Sequence, residues 1–379
     1  MFVRTLALAT VLAFLVAGAP AQEARVTPEE AASALERALE FFRGEVASHG
    51  GYLWRYSHDL VRREGERKAD AQTIWVQPPG TPSVGFAYLR VYERTGLSAY
   101  FAAARETARA LLEGQLESGG WDYRICFAPD ARRRYAYRVA PNNPKGHNTT
   151  TLDDNTTQSA LRYMMAVDKA LDFGDAAIHE SALYGLDSLL RAQYPNGAWP
   201  QRFTGAPNPD EYPVKAASYP ESWSRTYRWG NYAGYYTFND NTIEDTIVTM
   251  FDAAKTYGDE RYRRAAIKGG DFILLAQMPE PQPAWAQQYD PDMHPAWARK
   301  FEPPAITGGE SHSAMRALLY VYRRTGDPKY LEPLPRALAY LKASCLPDGR
   351  LARFYEPVSY THLRAHETVL DLVCRLLLE

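Results

Sequence analysis

Apolar residues recur at three- and four-residue spacing in stretches that come in pairs, each pair separated by a glycine or a short polar turn. The pattern predicts helices over 83–95 and 98–116, 154–171 and 176–193, 241–257 and 260–276, and 311–325 and 328–343. Gly96 and Gly258 break the first and third pairs. Gly326 stops one helix and Pro328 starts the next. In the second pair Leu183, Leu186, Leu189 and Leu190 share one face. Period-two alternation is nearly absent, so the chain reads as all-α.

The helical runs are punctuated by five related turns: Gly50-Gly51-Tyr52-Leu53-Trp54, Gly119-Gly120-Trp121-Asp122-Tyr123, Asn196-Gly197-Ala198-Trp199-Pro200, Pro283-Ala284-Trp285-Ala286-Gln287, and Asp348-Gly349-Arg350-Leu351-Ala352. Each interval between them holds about two helices and one loop. Self-similarity on this scale predicts helix pairs closing into an α/α toroid, an incomplete α/α barrel with long loops. Such a ring gathers its inner helix ends around one cleft. The loops 125–151 and 204–238 are long and rich in Pro, Asn and Tyr, as binding loops are.

Both ends depart from this repeat. Arg4, the apolar run 6–16 and Ala19-Pro20-Ala21 have the layout of a signal peptide cleaved after Ala21, which predicts a secreted or periplasmic protein. The run is too short to span a membrane. The toroid is expected over 22–357. Residues 358–379 resemble the read-through of a sequencing adaptor, although Leu370, Val373, Leu376 and Leu377 also fit an amphipathic helix. On the first reading the toroid is truncated at its C-terminus.

Composition narrows the function classes. The 379 residues are 46% hydrophobic and 23% charged with net charge −2, which excludes a disordered chain and gives no electrostatic footprint for nucleic acid. A monomer is expected. Three cysteines do not make a disulfide scaffold, and a Cys126–Cys345 bridge stays open. His49, His58, His147, His179, His294 and His312 are scattered and form no metal pair. The 26 Tyr, 14 Phe and 8 Trp suit a large core and equally suit stacking on sugars.

Three segments carry candidate chemistry. Thr151-Leu152-Asp153-Asp154-Asn155-Thr156-Thr157 opens a helix, where Asp and Asn ordinarily cap free N–H groups. Two adjacent carboxylates exceed the needs of one cap and repel each other unless a cation lies between them. Thr237-Phe238-Asn239-Asp240-Asn241-Thr242 repeats the arrangement, and oxygen-rich clusters of this kind suit Ca²⁺. Trp297-Ala298-Arg299-Lys300-Phe301-Glu302-Pro303-Pro304, followed by Thr307-Gly308-Gly309-Glu310-Ser311, places a basic pair in an aromatic loop and suggests an anion site. Glu310 can also simply cap its helix.

Taken with Ala192-Gln193-Tyr194-Pro195-Asn196-Gly197-Ala198-Trp199-Pro200-Gln201 and Trp285-Ala286-Gln287-Gln288-Tyr289, these segments resemble the pectate lyases of polysaccharide lyase family ten. The resemblance runs from about 148 to 355. It implies an α/α toroid, polygalacturonate as substrate, Ca²⁺ dependence and β-elimination. Under it Arg299 is the catalytic base, with desolvation and Ca²⁺ lowering its pKa and an alkaline optimum as the consequence. Asp153, Asp154 and Asp240 hold Ca²⁺ or bridge it to substrate. Arg202, Lys300 and Glu310 contact substrate, and Trp199, Trp285 and Tyr289 line subsites. The chain departs from the family at Asp154, where Asn is common, at Ala286 to Tyr289, in the longer loop before Asn239, and in its C-terminal part. A glycoside hydrolase working through paired carboxylates such as Asp153 and Asp240, or a sugar-binding toroid without activity, fits the same residue types.

Overall fold

The computed structural model describes residues 26–140, 143–222, 224, 226–227, 230–357 and 362–364. The expected signal peptide, and the tail apart from 362–364, lie outside the described residues. The chain divides into two units, Met1–Glu45 and Val46–Glu379. In the first, helix α1 (Pro28–Phe41) starts on a reciprocal cap: Thr27 accepts from the Glu30 amide and the Glu30 carboxylate accepts from Thr27 N–H. Pro28 at its first position costs no hydrogen bond.

The second unit is an α/α toroid built from four helix hairpins: α2 (Thr81–Thr95) with α3 (Ser98–Leu112), α5 (Thr156–Ala170) with α6 (Ala176–Ala192), α7 (Thr242–Tyr257) with α8 (Glu260–Leu275), and α9 (Gly308–Thr325) with α10 (Leu334–Ala343). A single turn, α4 (Pro129–Arg132), lies in the loop after α3. The first helix of each hairpin packs on the first helix of the next, α2 on α5, α5 on α7 and α7 on α9, which makes the inner layer. Gly96 and Gly326 adopt the left-handed conformation (φ 72° and 74°) that ends α2 and α9, as the sequence pattern predicts. The predicted helix over 328–343 is shorter than expected. Pro333 and Pro335 confine α10 to its second part, and Pro328–Tyr330 forms a 3₁₀ turn instead.

Short strands complete the repeat. β1 (Arg55–Tyr56), β2 (Arg63–Glu64) and β3 (Lys68–Ala69) form a small antiparallel sheet. Each hairpin is then closed at its open end by an antiparallel clasp: β4 (Thr73–Trp75) with β5 (Arg124–Cys126), β6 (Thr150–Thr151) with β7 (Arg202–Phe203), β8 (Tyr236–Thr237) with β9 (Gln288–Tyr289), and β10 (Ile306–Thr307) with β11 (Phe354–Tyr355). β12 (His362–Arg364) adds to the edge of β11. Strands of two or three residues carry no legible alternation, which is why the sequence reads as purely helical. Cys126 is a free buried thiol, so the bridge to Cys345 is not formed.

The recurring tryptophans hold three of the four clasps to their hairpins. Trp121, Trp199 and Trp285 are fully buried, and their indole N–H groups donate to Leu111 O (2.8 Å), Leu189 O (2.9 Å) and Ile273 O (2.8 Å) near the ends of α3, α6 and α8. Helix-end carbonyls lack intrahelical partners, and the indoles bond them: Leu111 O also accepts from Gly114 N–H, whereas the Trp285 indole is the partner of Ile273 O. Tyr289 is likewise fully buried, donating to Ala276 O and accepting from Ala286 N–H, each at 2.7 Å. Trp199, Trp285 and Tyr289 therefore belong to the core rather than to sugar subsites: no ring face is left to offer a ligand.

Trp285→Ala is expected to cost about 3–5 kcal/mol of stability in urea unfolding. Trp285→Phe should cost about 1–3 kcal/mol, chiefly by stranding the Ile273 carbonyl. Neither change should alter KM in the protein that remains folded, and a raised KM without lost stability would return Trp285 to the cleft.

Candidate active site

The two acidic segments fold alike. After its clasp strand each chain segment makes a 3₁₀ turn, Asp153–Asn155 and Asn239–Asn241, before the inner helix begins. Two consecutive residues in each turn have positive φ: Asp154 (50°) and Asn155 (58°), Asp240 (51°) and Asn241 (60°). Asp and Asn are the side-chain-bearing residues that best tolerate this region. Asp154 and Asp240 thus hold the same position in successive repeats, with Asp153 opposite Asn239. The capping role that the sequence suggests is not taken: neither α5 nor α7 receives a side-chain cap. Asn155 accepts from Arg162 (2.8 Å) and Asn241 from Ser313 (2.6 Å), which anchors both turns to helices.

Because α5 packs on α7, the two turns meet. Carboxylate oxygens of Asp153, Asp154 and Asp240 lie within 4.8 Å of one another. Asp153 Oδ2 accepts from Tyr123 Oη–H at 2.6 Å and from Arg202 at 3.4 Å. Its other oxygen, Oδ1, is buried and has no partner. Asp154 accepts from Gln77 Nε2 at 2.8 Å, and Gln77 is held in turn by the Trp75 indole at 2.9 Å. Asp240 accepts from the Asn239 amide. Burial, reinforced by the Asp153 charge, pushes Asp154 up to about 6; burial and the charges of Asp153 and Asp154 push Asp240 up to about 8. Three hard oxygen donors and an orphaned buried carboxylate oxygen are the donor set that a divalent cation such as Ca²⁺ takes.

The triad lines a cleft of about 600 Å³ together with Arg202, Arg299, Arg124, Arg67 and the rings of Tyr123 and Tyr232. Arg299 reaches it from the loop before β10. The guanidinium grips Glu302 with both Nε (2.7 Å) and Nη2, and Glu302 also accepts from Arg299 N–H at 3.0 Å. Glu302 is 1% exposed, and its second cation, Arg353, stands 3.9 Å away. The Phe301 ring lies 4.7 Å from the guanidinium. The hydrogen bonds to Glu302 raise the Arg299 pKa above its already high ordinary value. The expected lowering is thus not found: the guanidinium rests against a carboxylate rather than against apolar surface.

Asp153, Asp154, Asp240, Arg202 and Arg299 are therefore brought together. Lys300 is exposed and forms no wall of the cleft. Glu310, in the first turn of α9, also stands outside the lining, and burial raises its pKa. The sequence reading missed Tyr123, Gln77 and Glu302. Tyr123 sits in a recurring turn and Glu302 in the Arg299 segment, so both had a signal; Gln77 had none.

Residues 130–320, just over half of the chain, match the pectic acid lyase family. A family 10 polysaccharide lyase from Cellvibrio cellulosa is 21% identical, covering 73% of this chain and 82% of that one, with a TM-score of 0.47. A D-mannose isomerase is 16% identical over 91% of this chain and 77% of its own, with a TM-score of 0.51. A cellobiose 2-epimerase from Spirochaeta thermophila is 16% identical over 89% and 77%, with a TM-score of 0.50. The isomerase and the epimerase share the fold, which by itself carries no activity across. No curated protein is significantly similar to this chain.

The acidic triad makes a prediction about stability. Asp240 titrates at about 8 in the folded, cation-free protein, against about 3.9 when unfolded. Its protonated form is favoured by folding, so its contribution is complete below about pH 4 and lost as pH rises through 8. The unfolding temperature measured in EGTA should fall across this window. Added Ca²⁺ should restore it most at the alkaline end, and Asp240→Asn should flatten the profile. A flat wild-type profile in EGTA would argue against the crowded triad.

Proposed function

The chain belongs to the pectic acid lyase family, and on that premise we propose that this polysaccharide lyase cleaves polygalacturonate by Ca²⁺-assisted β-elimination, with Arg299 as the base. The observation that carries the reading is the convergence of a carboxylate triad and four arginines on one cleft. An acidic polymer and an acidic triad repel each other; a divalent cation held by Asp153, Asp154 and Asp240 reverses that sign. When bound, Ca²⁺ supplies charge neutralisation for the uronate carboxylate next to the reacting carbon. Export, with residues 1–21 as signal peptide, is part of the same proposal and rests on the sequence alone.

The chain's own residues account for the rest. Arg202 and Arg124 occupy matching strand positions at the cleft rim, opposite Thr151 and Trp75, and suit the carboxylates of neighbouring uronates. In β-elimination the C5 proton leaves to the base, the C5–H electron pair forms the C4–C5 double bond, and the glycosidic oxygen departs from C4 and gains a proton. Neutral Arg299 accepts the C5 proton. Glu302 then stabilises the guanidinium that forms and fixes its plane. Because Glu302 favours the protonated form, the neutral base is populated only on the alkaline side.

Incubation with polygalacturonate and Ca²⁺ should generate the ultraviolet absorbance of an unsaturated product, and EGTA should abolish it. Reducing ends without that absorbance would mean hydrolysis. Arg299→Ala should lower kcat by about 10²–10⁴ with little change in KM. Glu302→Gln should lower kcat by roughly tenfold and move the alkaline limb of the pH profile to lower pH, since the group that raises the Arg299 pKa is gone. An unmoved limb would leave Glu302 as packing only.

A further inference from the structure

Beside the charged cleft lies a second cavity of about 260 Å³, and Tyr232 lines both. The second cavity is walled by the half-buried rings of Tyr232, Tyr235 and Trp297 and by Pro295 and Pro304. Trp297 is fixed by its indole bond to Ser224 O at 3.0 Å, so its ring is a firm surface rather than a loose one. The volume falls below the roughly 300–1,000 Å³ of pockets that take drug-sized ligands and suits a single ring. Amphipathic rings with polar edges are what a pyranose stacks on.

The cavity differs from its neighbour in its cations: four arginines face the carboxylates of the cleft. Among the described residues no Arg, Lys or His lines it, and the one carboxyl group there is Asp290. Asp290 Oδ1 accepts from the backbone N–H groups of Asp292 and His294, each at 3.0 Å, which holds the carboxylate at the turn. An ionised uronate entering here would meet the Asp290 carboxylate and, among the described residues, no lining cation. Asp290 and Tyr235 therefore select against charge as well as for shape.

We propose that this cavity is a subsite for an uncharged sugar ring, either a methyl-esterified uronate or a neutral sugar, next to the cleft that takes the charged one. The subsite rests on the lyase reading and adds a rule to it: the preferred polymer is mixed, with an ionised uronate at the acidic triad and an uncharged unit beyond Tyr232. The aromatic walls come largely from the long loop before Asn239, the segment in which this chain departs from its family.

The test compares three polymers: fully de-esterified polygalacturonate, the same polymer partly methyl-esterified, and one interrupted by neutral sugars. Tyr235→Ala should lower kcat/KM on one or both of the mixed polymers by about tenfold while changing the de-esterified one by less than about twofold. Whichever mixed polymer loses activity identifies the source of the uncharged ring. Asp290→Asn, which keeps the turn acceptor, should raise kcat/KM on the de-esterified polymer several-fold and leave the mixed ones unchanged. Equal effects on all three polymers, or none, overturn the subsite. If the wild type cleaves no polymer, the lyase reading has failed, and tryptophan fluorescence decides the subsite alone. Quenching by a methyl-esterified uronate oligomer that is lost in Tyr235→Ala sustains it, and no quenching overturns it.

Discussion

Everything in the cleft follows from one electrostatic conflict: three carboxylates held within 4.8 Å of one another in a half-buried site. Repulsion of this kind disperses acidic groups unless the backbone prevents it. Here the backbone does so twice, through consecutive left-handed residues in two turns that α5 and α7 bring face to face. Tyr123, Gln77 and Asn239 each donate to one member of the triad, which reduces the conflict without removing it, because Asp153 Oδ1 is left bare. A site that is costly when empty is one whose ligand contributes most when it binds. The buried tryptophans and the strand clasps are the compensating part of the fold, since they fasten every hairpin end that the turns must press against.

The second tension is at Arg299. On the proposed reading Arg299 must spend part of its time without its proton, yet Glu302 holds that proton on. The two requirements are compatible if the carboxylate serves the state after proton transfer. The same ion pair that makes neutral Arg299 rare also makes it strongly basic when it occurs, and it fixes the plane in which the nitrogen meets the C5–H bond. Burial works against the Glu302 charge, and the hydrogen bonds and charge of Arg299 outweigh it, which holds the Glu302 carboxyl below its usual range. An isolated guanidine would be populated as a base more often and aimed less well.

How much of this was legible in the sequence depended on the length scale of the signal. The helix hairpins were readable because each spans many turns of 3.6-residue periodicity, and only the Pro333 interruption displaced a boundary by more than a few residues. The clasps were not readable, since a two-residue strand such as Thr150–Thr151 has no alternation to detect. The site residues Asp153, Asp240 and Arg299 were found through local composition and family likeness, both of which survive one-dimensional reading. Trp199, Trp285 and Tyr289 were misplaced for the opposite reason. An aromatic ring recurring beside a turn has the same sequence signature whether it faces sugar or fills the core, and only the burial of its N–H or O–H distinguishes the two. Gln77 lies 77 residues from Asp154 along the chain and reaches it only because α2 packs on α5.

Asp154 gives the departure from the family a physical meaning. An Asn at this position would leave two carboxylates, a pair that can share one proton and stay compact over a wide pH range. A third charge removes that freedom. It strengthens the pull on a divalent cation by one unit of charge at close range, and it raises the pH at which the cation-free site can ionise completely. Its hydrogen-bond partner is an amide, Gln77, and the charges of Arg299 and Arg202 offset the extra charge only in part, since the pKa still rises. The position across the repeat is again an Asp, Asp240, and the two pKa values shift in the same direction for the same reasons. What the sequence presents as a single conservative exchange is therefore, on the proposed reading, a change in how strongly the cleft attracts a divalent cation.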